Sequence, residues 1–124
     1  MAPTDTLSIS DAGVATGLSP HTLRYYERAG LIDPVGRTDA THRRYTEAEI
    51  EWVIFLTRLR STGMPIRRMR DYAALVRAGS GNEGERLALL EEHRDAVRAQ
   101  LEEATRNLRA IETKIEMYKE RTTN

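Results

Sequence analysis

Gly17-Leu18-Ser19-Pro20-His21-Thr22-Leu23-Arg24-Tyr25-Tyr26-Glu27-Arg28-Ala29-Gly30 is the stretch that decides the fold. Gly17 can take the left-handed conformation that ends a helix. Ser19 then caps a second helix, with Pro20 at its first position, where a missing N–H costs nothing. That helix runs to about Ala29 and stops at Gly30. Upstream, Ser8 or Ser10 can cap a short helix that continues through Thr16. Two short helices joined by a glycine-containing turn are the minimal helix-turn-helix pattern. Ile9, Val14, Ala15, Leu18 and Leu23 are expected to form its small core. The opposite face of the second helix carries His21, Thr22, Arg24, Tyr25 and Arg28, side chains able to reach base edges or phosphates.

Downstream, residues 31–45 show no helical period. Leu31-Ile32 and Arg43-Arg44-Tyr45 flank the polar stretch 35–42, most simply a β-hairpin wing with arginines on its strands. Thr46, with Glu49 three residues on, forms a capping box. Ile50, Val53, Ile54, Leu56 and Leu59 give the helix that follows an apolar side, and it ends near Thr62-Gly63. Pro65 can open a further helix through about Val76, with Met69, Tyr72, Ala73 and Val76 inward.

The strongest periodic signal comes last. Leu87, Leu90, Arg94, Val97, Leu101, Ala104, Leu108, Ile111, Ile115 and Tyr118 recur three and four residues apart. All but Arg94 suit a coiled-coil seam. A helix over residues 85–119 would be about 50 Å long, too long to bury that seam against a small head. A period nearer 3.5 than 3.6 favours a supercoiled partner over folding back, so a homodimer is expected. The predicted fold is mainly α: a winged helix-turn-helix head (1–78), a flexible linker (79–84) and a coiled-coil dimerisation helix (85–120).

Composition narrows the function. Apolar residues make up 40% and charged residues 31%, a soluble, folded composition. No apolar run is long enough to span a bilayer, and Met1 to Leu7 lacks the basic-then-apolar pattern of a signal peptide. A cytoplasmic protein without a membrane partner is expected. The absence of cysteine excludes disulfides, thiolate metal sites and cysteine nucleophiles in this chain. His21, His42 and His93 fall in three different elements, so no metal site is expected. With no nucleophile motif and no phosphate-cradling glycine loop, neither an enzyme nor a bound cofactor is expected. Net charge is zero, 19 basic against 19 acidic residues, yet its distribution is uneven. Between His21 and Arg70 there are ten arginines and six acids. Arginine forks onto phosphate and guanine better than lysine does.

Leu23-Arg24-Tyr25-Tyr26-Glu27, Gly30-Leu31-Ile32, Arg43-Arg44-Tyr45, Phe55-Leu56 and Leu59-Arg60-Ser61-Thr62-Gly63-Met64 resemble the MerR family of bacterial transcriptional regulators. The resemblance covers about residues 8–76 and the order of elements beyond. It implies a dimer joined by an antiparallel coiled coil, each head docking one half of an inverted repeat. It also implies distortion of promoter DNA so that RNA polymerase, a further partner, meets both promoter elements. Protein contacts then offset a deformation cost of about 1–6 kcal/mol. By this analogy Tyr25, Arg43, Tyr45 and Arg67 grip phosphates, and His21, Thr22 and Arg24 approach base edges. Arg28, Arg37, Arg44 and Arg68 complete the DNA-facing set. Tyr26 suits the core of the head equally well. The chain departs from metal-sensing members, which carry cysteines near the start and beyond the end of the long helix. It departs too from aldehyde-responsive members, with a cysteine in the head, and from multidrug-sensing members, with a large C-terminal ligand domain. The wing tip reads Ala40-Thr41-His42, without the Asn-Gly often found there. The effector is unknown. A different class of reading is a coiled-coil assembly protein with only weak nonspecific affinity for DNA.

Overall fold

The computed structural model describes residues 6–32 and 44–123. Among them the order is β1 (Thr6–Ser8), α1 (Ile9–Thr16), α2 (Pro20–Arg28), β2 (Arg44–Thr46), α3 (Glu47–Ser61), α4 (Ile66–Ala78) and α5 (Glu83–Thr122). The chain divides into two compact units, residues 1–86 and 87–124.

Local chemistry fixes the first unit's helix ends. The Ser8 hydroxyl accepts from the Asp11 N–H at 3.2 Å and caps α1. Gly17, at φ 76°, ends it, its N–H donating to the Gly13 carbonyl at 2.8 Å. Ser19 then caps α2 by accepting from the Thr22 N–H at 3.1 Å, with Pro20 in the first turn. Both helices thus begin and end where the serines, the proline and the glycine require. The capping box forms as expected: the Thr46 N–H donates to Glu49 Oε1 at 3.0 Å, and the Glu49 N–H donates to Thr46 Oγ1 at 3.2 Å.

The core of this unit is apolar and interlocked. α1 packs on α2 and α3, and α4 packs on α3. Leu23, Leu31, Ile32, Tyr45, Val53, Leu56 and Met69 are its large, fully buried side chains. Fully burying each of the aliphatic side chains and Met69 contributes roughly 1.5–3 kcal/mol. Ile50 and Leu59 complete the inward line of α3, while Ile54 is half-buried. On α4, Met69 and Ala73 are buried; Tyr72 and Val76 are half-buried.

Three expectations are corrected here. Val14 is 88% exposed and Ala15 is also exposed; the inward line of α1 is Ile9, Ala12, Gly13 and Thr16. That line has the i, i+3, i+4, i+7 spacing of one helix face. Val14, five residues after Ile9, falls about 140° round the helix from it, on the other side. Tyr45 was expected to grip a phosphate, but it is 0% exposed. Its strand, β2, pairs antiparallel with β1 in the register Thr6↔Thr46, Leu7↔Tyr45 and Ser8↔Arg44. The partner of this strand is therefore the segment before α1. Leu31-Ile32, the expected first strand of the wing, is buried and in neither strand. Tyr26 is 5% exposed, which places it in the core.

Residues 30–32 are held by side chains from afar. Trp52 Nε1–H donates to the Leu31 carbonyl at 2.8 Å. Arg77, in the last turn of α4, donates to the Gly30 carbonyl at 2.9 Å. The glycine-rich segment before α5 is braced as well. Asn82 Nδ2 donates to the Leu75 carbonyl at 2.7 Å, and Arg86 donates to Asn82 Oδ1 and to the Gly79 carbonyl at 2.7 and 3.1 Å.

The second unit is a helix. α5 has 40 residues, which at 1.5 Å per residue is about 60 Å. It begins two residues before the expected start and ends three beyond the expected end. Leu87, Leu101, Leu108, Ile111, Ile115 and Tyr118 are all exposed, and Leu90 and Val97 are half-buried. Arg94, the odd residue of the seam, is paired with Asp95 at 3.1 Å and Glu91 at 4.0 Å.

Gly13 was not singled out by sequence, yet a Cβ there would stand 2.7 Å from the Leu18 carbonyl oxygen. The obstacle is backbone, so relief requires α1 and the turn to separate. We expect Gly13→Ala to destabilise the head by about 1–3 kcal/mol in urea unfolding, despite the roughly 1 kcal/mol better helix propensity of alanine. A second test uses pH. Burial raises the Tyr26 hydroxyl above its ordinary value, partly opposed by Arg60 and reinforced by Tyr25. The folded head favours the neutral phenol. The associated stability is full below the unfolded pKa of about 10 and is lost as pH rises through the folded value. Tyr26→Phe should flatten that alkaline loss of stability.

Candidate nucleic-acid interface

α2 is two-faced because its sequence alternates at helical spacing. Leu23 and Tyr26 point into the core. His21, Arg24, Tyr25 and Arg28 are exposed, at i, i+3, i+4 and i+7, and so lie along one stripe. Tyr25, 40% exposed, leans against Tyr26 with ring centroids 6.2 Å apart. Thr22 is half-buried and its hydroxyl accepts from Ser19 Oγ at 3.0 Å, so part of its bonding capacity serves the cap.

The helix is rigidly delivered. The Ser19 cap and the Gly17 turn fix its start. At its other end, the Leu31 N–H donates to the Tyr26 carbonyl at 3.0 Å, and the Trp52 and Arg77 bonds hold Leu31 and Gly30. A reading helix needs such support, because a contact only 1 Å out of place forfeits much of its hydrogen-bond energy. Trp52 itself is stacked on Tyr72, centroids 5.7 Å apart and planes 23° apart.

α4 adds a second positive element. It begins at Ile66 after Pro65, with no side-chain cap among the described residues. The Arg68 and Met69 N–H groups donate to the Pro65 carbonyl at 3.0 and 3.1 Å, and this end of the helix carries the positive end of the helix dipole. Arg67 is exposed there. Arg68 is half-buried and paired with Asp71 at 3.3 Å, so its charge is partly engaged within its own helix.

The expected residues thus sort into groups. His21, Arg24, Tyr25 and Arg28 share the exposed face of α2, and Arg67 stands exposed on α4. Tyr45 belongs to the core instead. Arg37 and Arg43 lie outside the described residues, as does the wing tip. Arg44 is placed by its backbone in β2. Gly13, Trp52 and Arg77 were missed. The only signal for Trp52 was its being the single tryptophan; the Arg77 bond spans 47 residues and leaves no spacing to read.

A short helix-turn-helix that presents an arginine-bearing polar stripe outward, over a core that fixes its angle, defines a DNA-binding head. The chain matches the family model for the MerR helix-turn-helix regulatory protein over residues 7–75, and the model for the MerR DNA-binding region over residues 50–114. It is 33% identical over 113 residues to an uncharacterized HTH-type transcriptional regulator of Haemophilus influenzae, covering 91% of this chain and 84% of that one. It is 40% identical over 73 residues to the HTH-type transcriptional regulator AdhR of Bacillus subtilis, covering 59% of this chain and 52% of that one. Among solved structures, it is similar to HiNmlR, described as a MerR family regulator lacking the sensor domain, bound to promoter DNA. That likeness has a TM-score of 0.85 at 32% identity, over 94% of this chain and 92% of that one. The chain belongs to the MerR family of helix-turn-helix transcriptional regulators.

Within that family fold, Arg24 and Arg67 should do different work. A guanine contact from Arg24 would give about 1–3 kcal/mol of discrimination. A phosphate contact from Arg67 carries no sequence information. We expect Arg24→Ala to relax preference at one symmetric pair of positions in sequences selected from random DNA. Arg67→Ala should weaken operator and scrambled duplex alike and make the salt slope shallower by about one unit per lost contact. Equal loss on both duplexes for Arg24→Ala would reassign that residue to the backbone.

Proposed function

We propose that two copies of this chain pair through α5 and place their two α2 helices on an inverted-repeat operator, distorting it to control transcription. The observation that carries this reading is the exposed apolar seam of α5. Large side chains from Leu87 to Tyr118 stand in solvent on an isolated chain, Leu101 at 65% exposure. So long an unburied stripe marks a protein–protein surface, and its spacing suits a second helix of the same kind. A two-fold pair of heads then matches a two-fold DNA site. The family resemblance supports the antiparallel arrangement and RNA polymerase as the further partner. We read the division of labour as head 1–78, connecting segment 79–84 and pairing helix 85–120.

Regulation rather than catalysis is the proposed role, exercised in the cytoplasm. No described helix is long and apolar enough to cross a membrane. With no cysteine in the chain, control by thiol oxidation or thiolate-bound metal has no ligand here. The reading as a mere coiled-coil scaffold is disfavoured by the rigidly supported stripe on α2, which a cap for a coil does not require.

Replacing Leu101 and Leu108 together by Asp puts charge into the dry seam. Sedimentation should then give monomers, and operator affinity should fall toward the level of scrambled DNA. An unchanged dimer would move the interface away from α5.

A further inference from the structure

The first unit contains a crevice of about 230 Å³ whose apolar wall is formed by Leu31, Ile32, Trp52, Ala73 and Val76, with Arg77 at its edge. Trp52 and Arg77 brace the exit of α2, but the space between these lining residues has no part in that bracing. Its volume is below the roughly 300–1,000 Å³ of sites for drug-sized ligands, so a one-ring molecule is the size that fits. The indole of Trp52 is held in place on two sides: Tyr72 stacks on it, and its N–H is bonded to Leu31. Tyr72 is not part of the crevice, so other indole surface remains to meet a flat apolar guest.

The polar groups at the rim are unequal. Glu49 borders the crevice, but its carboxylate accepts from the Thr46 N–H and hydroxyl at 3.0 and 3.2 Å and serves the cap of α3. Arg77 is exposed and gives one nitrogen to the Gly30 carbonyl. A guanidinium has five N–H donors in a fork that suits a carboxylate. The geometry points to a binding site for a small aromatic carboxylate, its ring against Trp52, Ile32 and Val76 and its anion on Arg77.

The position gives such a ligand leverage. Arg77 and Trp52 hold the carbonyls of Gly30 and Leu31, the two residues at the exit of α2. A ligand that shares Arg77 and lies against Trp52 changes the clamp at the end of the reading helix, and with it operator affinity. By linkage, DNA changes the ligand's affinity by the same factor. This regulatory half rests on the proposed DNA-reading role; the binding half does not.

Trp52 is the chain's only tryptophan, so its fluorescence reports on the crevice directly. The full chain is titrated with benzoate and, as the uncharged counterpart, benzyl alcohol. Benzoate should give a saturable change, with benzyl alcohol weaker by about tenfold, the scale of one charge-assisted hydrogen bond. Arg77→Gln keeps a donor for Gly30 without the charge; it should weaken benzoate about tenfold and leave benzyl alcohol unchanged. Ala48→Leu, an exposed rim position, should narrow the crevice and weaken both. Circular dichroism and melting check that each variant folds. No saturable change, or equal benzoate affinity in a folded Arg77→Gln, overturns the site. A signal seen only in the Leu101→Asp, Leu108→Asp monomer means that a second copy fills the crevice, and also overturns it. Operator affinity measured with and without benzoate should differ several-fold. Binding without that difference overturns the regulatory half alone. Failure of the unliganded protein to prefer its operator over scrambled DNA would instead overturn the proposed function.

Discussion

The close approach of α1 to the turn that follows it governs the head. At Gly13 the backbone comes so near the Leu18 carbonyl that no side chain fits. Across this contact the turn is short, with only Leu18 and the cap Ser19 between Gly17 and the start of α2 at Pro20. Once α2 starts there, its phase is decided by Leu23 and Tyr26, which must enter the core. The stripe His21, Arg24, Tyr25 and Arg28 is then outward by geometry rather than by any attraction of its own. Function in this head is therefore a by-product of packing: the polar face is presented because the apolar one is consumed.

α5 shows the opposite condition. Its seam is left unsatisfied by its own chain, and the rest of its surface is Glu, Arg, Ala and Gln, good helix formers that leave one face for a partner. Ion pairs such as Arg94–Asp95 and Lys119–Glu116 are exposed and contribute little individually. In the free chain the helix rests on propensity, and in the proposed pair it would also rest on the seam. The residue that breaks the seam, Arg94, has a charged neighbour on its own helix and so need not enter a dry interface.

The sequence was most legible where one residue does one local job. Ser19 and Pro20 announced α2, Thr46 and Glu49 announced α3, and the three-four spacing announced α5, all through interactions within about one turn. It was least legible where elements are short. α1 has eight residues, too few for two apolar positions to set a phase, so Val14 and Ala15 were placed inside when they lie outside. Strands of three residues have no period, so the pairing of β2 with β1 is not legible, and the family resemblance alone, which puts Tyr45 on a phosphate, does not show that this pairing buries it. The Trp52 and Arg77 bonds join residues 21 and 47 positions apart, and no window along the chain contains both ends.

The charge pattern ties these parts to the proposed mode of action. A chain of zero net charge gains little from long-range attraction to DNA, which is screened within about 8–10 Å at ordinary ionic strength. In the proposed mode of action, the arginines of α2 and α4 supply its affinity at close range. On the proposed reading, one such head meets only a few base pairs through a two-and-a-half-turn helix and would bind weakly alone. Joining two heads makes the second docking intramolecular, and the effective concentration multiplies two modest affinities into a strong one without a new contact. The balanced charge of α5 suits this arrangement, since a strongly basic coil would add sequence-independent affinity and dilute discrimination. The seam of α5 is then as much a determinant of DNA specificity as the arginines of α2.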